Sequence, residues 1–354
     1  MGNIRNQRYD FYKALLILGV IWGHTVTALK VDSSVSIWIH AFFRTYDMPM
    51  FAFLSGYFLK KSCEKHKFSE NILNRIGTIL IPILVWNVIF SVLQRWISIE
   101  RFWFLWSLFF CNVIVFCIDK IFRFNKTIMI IAFAAIIIAF HMFNAHFNIG
   151  FLLFPCIVGY FFEQIKLNVN KRFSNLFYAK AFIVGAFVIM QCFWKTDYTV
   201  WNTGCDIFAF GTPIKTSAKI IFRGLIGITG CIVMKMLFGV IYTALESSKY
   251  PQMQKILQKG VTVGKYTMEL YILQSYFVEV LGGAVVRKIT EIIGGNPFVY
   301  NSYLLGYVFA PIIAVISIII LYLLQKYIKK IPVIGKYTFG FPISKIFGVK
   351  NNAK

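Results

Sequence analysis

Apolar runs of about 20 residues recur along this chain, and they constrain its fold more than any other feature. A bilayer core has no water to satisfy backbone N–H and C=O groups, so only helices and closed barrels cross it. The runs here are continuous rather than alternating, which excludes an outer-membrane barrel. The expected fold is all-α, a polytopic transmembrane bundle forming one integral membrane domain over residues 1–354. About ten spans are expected, at roughly 11–29, 35–59, 77–97, 102–119, 127–143, 149–165, 177–195, 218–242, 266–287 and 303–326. Composition agrees, since 58% of the residues are hydrophobic and 14% are charged. A soluble domain would carry about 25% charged residues.

The net charge is +23. The basic residues sit in short loops between spans and form no continuous basic face, which argues against a nucleic-acid interface. Arg5 and Arg8 precede the first span, Lys60, Lys61, Lys65, Lys67 and Arg75 follow the second, and Lys120, Arg123 and Lys126 follow the fourth. Lys166, Lys171 and Arg172 follow the sixth, and the tail from Lys326 to Lys354 is basic again. The intervening loops are poor in Lys and Arg, so both termini are expected in the cytoplasm. The seven cysteines are scattered and form no C-x-x-C pair, so neither a disulfide framework nor a zinc spacing is indicated. No internal repeat of the kind many transporters carry is evident. The first apolar run is longer than a signal-peptide core and holds ionisable residues, so it is expected to be a retained span.

That first run, Phe11 to Leu29, contains Lys13 and His24, with Asp10 just before it. Ionisable groups in a spanning helix are costly and are functional candidates by default. Lys13 and His24 are eleven residues apart. At ~100° per residue that spacing returns to within ~20° of the same face and rises ~16 Å. The two therefore share a stripe, with Asp10 near it one turn below Lys13. The competing reading has Lys13 snorkelling to the interface and His24 satisfying a packed polar spot.

The second run carries His40, Arg44, Asp47 and Pro49. Arg44 and Asp47 are close enough in sequence to pair on one helical face. Pro49 removes a donor and disfavours helix at Met48, so a kink or break is expected there. A structural ion pair beside a kink competes with a functional role. His40 is expected at about the depth of His24. The external loop near 196–217 holds Asp197, Tyr198, Trp201, Asn202, Asp206 and Phe208, which suit sugar stacking or interfacial anchoring. His141, Asn144, His146 and Asn148 have no carboxylate or Cys beside them, so no metal site is expected.

Two of these segments resemble a known family. RYDFYKALLILGVIWGH is similar to the first motif of the acyltransferase-3 family of integral membrane O-acyltransferases, with Asp10, Lys13 and His24 in its acid, basic and His places. Lys13 departs from the commoner Arg and offers a point charge instead of a fork. YDMPMFAFLSGYFLKKS resembles the second motif, with Asp47 where His is usual. NRIGTILIPILVW, FWFLWSLFFC and LLFPCIVGYFF resemble later segments, with Arg75 in its basic place, Thr78 replacing a second basic residue, and Pro155 and Gly159 fitting. VGKYTMELYILQSY resembles a late motif, in which Glu269 and Tyr271 fit and Gln274 replaces His. The nearest branch is the fucose 4-O-acetylase-like and O-antigen acetylase-like proteins.

The resemblance implies a bacterial cytoplasmic-membrane enzyme that moves an acetyl group from acetyl-CoA to a hydroxyl of a polysaccharide or lipid-linked glycan. His24 would act as base or acyl carrier, helped by Asp10, and Arg44 would stabilise the oxyanion. Lys13 would hold a negative part of the donor. Lys60, Lys61 and Arg75 would bind its nucleotide end, although orientation charge and attraction to anionic lipid explain that loop equally well. Asp47, Glu269, Gln274 and Trp201 are candidate acceptor contacts. Transfer of succinyl or another acyl group remains open. So does a glycan flippase or small-solute transporter, since the same ionisable residues can line a translocation path.

Overall fold

The computed structural model describes residues 6–95, 99–142, 146–172, 176–194, 213–293 and 302–343. The secondary structure is helical, and no strand occurs among the described residues. Among the described residues, seven helices are long and apolar enough to cross a membrane. The helices at Lys126–His141 and Phe177–Cys192 are apolar but shorter. The expected span at 35–59 is divided into two helices. The chain forms two compact units, Met1–Asp47 with Ile232–Pro332, and Met48–Cys231 with Val333–Lys354.

The first unit is built on α1 (Gln7–Ala28). Asn6 caps it, its side chain accepting from the Arg8 N–H at 3.2 Å, and Asp10 complements the positive end of the helix dipole. α2 (Ser33–Arg44) is capped by Asp32, which accepts from the Ser34 N–H and Oγ. The chain breaks at Thr45 and Tyr46, and α3 (Asp47–Lys65) follows. The break thus falls before Pro49, not at it. Pro49 lies in the first turn of α3, where its missing N–H costs no helical bond.

The other helices of this unit are the later part of α10 (Pro213–Glu246), α11 (Pro251–Gly264), α12 (Thr267–Tyr276), α13 (Gly283–Ile293), α14 (Ser302–Leu304) and α15 (Ala310–Lys330). π turns at Phe277–Gly282 and Leu305–Phe309 join α12 to α13 and α14 to α15. α1 meets α11 where Gly260 and Gly264 form a G-x-x-x-G face, the small-residue contact that lets membrane helices approach. A Cβ at Gly264 would lie 1.6 Å from the Asp10 carbonyl oxygen, so the backbones touch. Arg8 Nη2 donates to Gly239 O at 3.3 Å and to Thr243 Oγ1 at 3.1 Å, tying α1 to α10. Trp22 Nε1 donates to Gly306 O at 2.9 Å. Val26, Val35, Ile39, Val286 and Leu305 form an apolar cluster at that end.

α15 shows the solvent these helices are made for. Ala310, Ala314 and Gln325 are buried, while Ile316, Ile319, Ile320 and Leu323 are each about half exposed. A water-facing helix would put its polar residues outward. Here the outer face is a continuous hydrocarbon surface of the kind lipid covers.

The second unit holds the rest of α3, then α4 (Phe68–Arg75), a π turn at Ile76–Leu80, α5 (Ile81–Gln94), α6 (Trp103–Phe122) and α7 (Lys126–Met142). α8 (Ile149–Arg172), α9 (Leu176–Cys192), the earlier part of α10 and α16 (Pro332–Phe339) complete it. α3 and α8 cross through reciprocal glycines. A Cβ at Gly56 would meet the Cys156 carbonyl oxygen at 1.8 Å, and one at Gly159 would meet that of Phe53 at 2.0 Å. Trp86 Nε1 donates to Thr338 O at 2.7 Å, fixing α16 against α5.

A candidate active site around His24

Within the first unit, α1 places Asp10, Lys13 and His24 on one helix. Lys13 Nζ lies 2.7 Å from Asp10 Oδ1, and the aspartate is buried. The pair is an i, i+3 contact, which the helix itself provides. About three turns further on, His24 Nδ1 lies 3.1 Å from Glu279 Oε1. About a third of the His24 side chain stays exposed, so the imidazole is held and still reachable.

Glu279 sits in the π turn between α12 and α13, and Gln274 Nε2 donates to its Oε1 at 3.3 Å. Residues five apart lie ~140° apart round an α-helix at ~100° per residue. The i→i+5 turn tightens that separation and brings the two side chains together. Gln274 is 1% exposed, so its amide is positioned by packing. Neither Glu279 nor its contact with His24 was anticipated from the sequence. An acidic residue in an apolar run was the available signal.

His40 approaches the same helix. Its Nε2 lies 3.2 Å from Thr27 Oγ1, and a Cβ at Gly23 would come within 3.6 Å of its Nδ1. The His40 ring thus packs beside Gly23, one residue before His24. Arg44 ends α2 one turn beyond His40 and lies within electrostatic range of His40 and of Asp47. Asp47 is buried in the first turn of α3. Glu269 accepts from Lys329 Nζ at 2.6 Å, an ion pair that joins α12 to α15. Trp201 and the aromatic and acidic residues around it lie outside the described residues.

The expected nucleotide-binding residues are in the second unit or engaged there. Lys60 Nζ lies 3.3 Å from the Tyr160 hydroxyl and 3.5 Å from Glu64, and Lys61 lies 4.7 Å from the Tyr57 ring centroid. Arg75 closes α4 beside the π turn. A cavity of about 540 Å³ does occur in this unit, lined by His66, Lys67, Lys120 and Arg123 rather than by those three. Arg123 there is held by the buried Asp119, which also accepts from the Tyr160 hydroxyl. No group of three His, Cys, Asp or Glu suited to a metal occurs among the described residues.

Comparison with known proteins adds a family. The model described as an acyltransferase domain matches residues 6–324. The nodulation protein NolL of Mesorhizobium japonicum is 26% identical over 159 residues, 39% of this chain and 42% of that protein. NolL of Sinorhizobium fredii is 28% identical over 88 residues, 24% of each chain. This chain therefore aligns with less than half the length of either relative. No solved structure matches.

Proposed function

This chain belongs to the acyltransferase domain family, and from that premise we propose that it is a membrane O-acyltransferase. It moves an acetyl group from cytoplasmic acetyl-CoA to a hydroxyl of a cell-surface polysaccharide or lipid-linked glycan, in a bacterial cytoplasmic membrane. The observation that supports this reading most is the 3.1 Å contact of His24 Nδ1 with Glu279 Oε1.

A carboxylate accepts only, so the ring nitrogen facing it carries the proton. Nε2 then keeps its lone pair, which is the form a general base needs. His24 Nε2 takes the proton from the acceptor hydroxyl as that oxygen bonds to the acyl carbon. The carbon–sulfur bond of the thioester breaks, and the proton passes from His24 to the departing sulfur. Glu279 steadies the imidazolium during this exchange, and Gln274 steadies Glu279. This is the division of labour between base and orienting acid seen in hydrolase triads.

Lys13, paired with Asp10, meets a negative part of the donor one end of α1 away. Lys60, Lys61 and Arg75 offer further positive charge to its phosphates. Arg44 is the cation proposed to stabilise the oxyanion, since a fixed charge in a dry site acts strongly. Asp47 and Trp201 are proposed to contact the acceptor. Release of free thiol from acetyl-CoA, measured on purified protein with a glycan acceptor, tests the activity. Acceptor-dependent release supports it, and its absence with every glycan fraction of the host overturns it.

A further inference from the structure

The cavity of about 540 Å³ in the second unit carries more positive charge than the acids around it balance. It lies where the end of α3, the first turn of α4 and the last turns of α6 meet. Lys67, Lys120 and Arg123 line it, and Asp119 is the one carboxylate among its described lining residues. Asp119 is 2% exposed and is bound to Arg123, whose Nε donates to Oδ2 at 3.0 Å. Arg123 Nη2 also donates to Cys63 O at 2.8 Å, so this guanidinium ties α6 to α3. Glu70, between the lining residues Ser69 and Asn71, is buried and lies 2.9 Å from His66 Nδ1. Lys67 and Lys120 are the charge in excess. Lys120 Nζ sits 4.5 Å from the Phe68 ring centroid, which holds the ammonium over the first turn of α4. Phe68 and Ser69 of that turn line the cavity too, and Lys67 gives the turn no side-chain cap. The positive end of the helix dipole thus adds to the two lysines.

We propose, on the premise that acetyl-CoA is the donor, that this cavity takes its nucleotide end, with the phosphates on Lys67 and Lys120. That end carries a phosphomonoester and a diphosphate, and fixed cations bind such groups through charge-assisted hydrogen bonds. Lysine acts there as a compact point charge with three donors. The volume falls within the ~300–1,000 Å³ of small-molecule sites and exceeds what one phosphate needs. Cys63, Phe68 and Phe116 are the apolar part of the wall, and the rest of it is polar or charged. Such a wall suits a hydrophilic nucleotide better than a phospholipid, whose chains would lie against charged groups. The lysines belong to the basic loops expected on the cytoplasmic side, where the donor is. None of Lys60, Lys61 and Arg75 lines the cavity, so the subsite is distinct from the charge that the sequence pointed to.

The full-length protein in phosphatidylcholine nanodiscs is titrated calorimetrically with CoA, S-acetylphosphopantetheine, dihexanoyl phosphatidylglycerol and inorganic phosphate. CoA is expected to bind one equivalent, with each of the other probes at least tenfold weaker. Lys67→Gln combined with Lys120→Gln is expected to weaken CoA at least tenfold. The same variant should bind S-acetylphosphopantetheine within twofold of the parent, because that probe lacks the nucleotide. Both lysines are exposed, so the fold does not depend on them. Arg123 is left in place, since its loss would strand the buried Asp119. Lys126→Gln is the control, a change of equal charge outside the cavity lining, and should bind CoA as the parent does. CoA affinity within twofold of the parent in the double variant, an equal loss in Lys126→Gln, or phosphatidylglycerol binding as tightly as CoA overturns the proposal. A parent that binds no CoA removes the donor and this subsite together, whereas a parent that binds CoA without need of the two lysines removes the subsite alone.

Discussion

Glu279 Oε1 lies 3.1 Å from His24 Nδ1, so the orienting carboxylate for the α1 imidazole comes from a π turn far away in the sequence. Glu279→Gln keeps the size of the side chain and turns an acceptor into a group that also donates. The wrong imidazole tautomer then becomes available. Acyl transfer by purified Glu279→Gln is expected to fall about 10²–10⁴-fold, with yield and melting temperature close to the parent. Activity within twofold of the parent would remove Glu279 from the mechanism.

In the proposed mechanism Gln274 acts on His24 through Glu279, to which its Nε2 donates. Gln274→Leu is therefore expected to lose less than Glu279→Gln, on the order of tenfold in kcat, with little change in the donor KM. Combining the two changes should cost no more than Glu279→Gln alone, because groups acting as a unit are not additive. Additive losses would show that Gln274 works by another route.

Lys13 and Asp10 form a pair near one end of α1. Lys13→Ala is expected to raise the KM for acetyl-CoA at least tenfold while kcat falls less, the signature of lost binding. Lys13→Arg keeps the charge and should retain most of the affinity. Steady-state kinetics over a donor series checks both. A KM unchanged in Lys13→Ala would place the donor elsewhere.

Gly56 and Gly159 let α3 and α8 touch backbone to backbone. Gly56→Ala and Gly159→Ala force carbonyl groups aside and are expected to destabilise by about 1–3 kcal/mol or more. Gly185→Ala is the control, since nothing lies within 4 Å of its Cβ position. It should be neutral or gain about 0.5–1 kcal/mol, the usual preference for alanine inside a helix. Thermal unfolding in detergent separates the two classes, and equal melting temperatures would contradict the packing described.

Helix type and the shared stripe of Asp10, Lys13 and His24 could be derived from sequence because they depend on local periods. A run of apolar residues fixes a membrane helix, and ~100° per residue fixes which side chains share a face. Glu279 could not be placed this way. Its contact joins two distant stretches, and the π turn shifts its face from the one an α-helical period gives it. The break after Arg44 illustrates a second limit. Pro49 signalled an interruption, yet proline is tolerated in a first turn, so the helix begins at Asp47 and the interruption lies upstream. Gly159 fits the resemblance in sequence and Gly56 lies within a resembling segment, but the reason for both is a crossing that only the fold displays.

The most direct test is made on cells. The surface glycan of a strain lacking this gene is compared by NMR with that of strains restored with the parent protein or with His24→Ala at equal membrane abundance. O-acetyl signals present with the parent and absent with His24→Ala are the expected result. Equal O-acetyl signals from both restored strains would contradict the central role of His24.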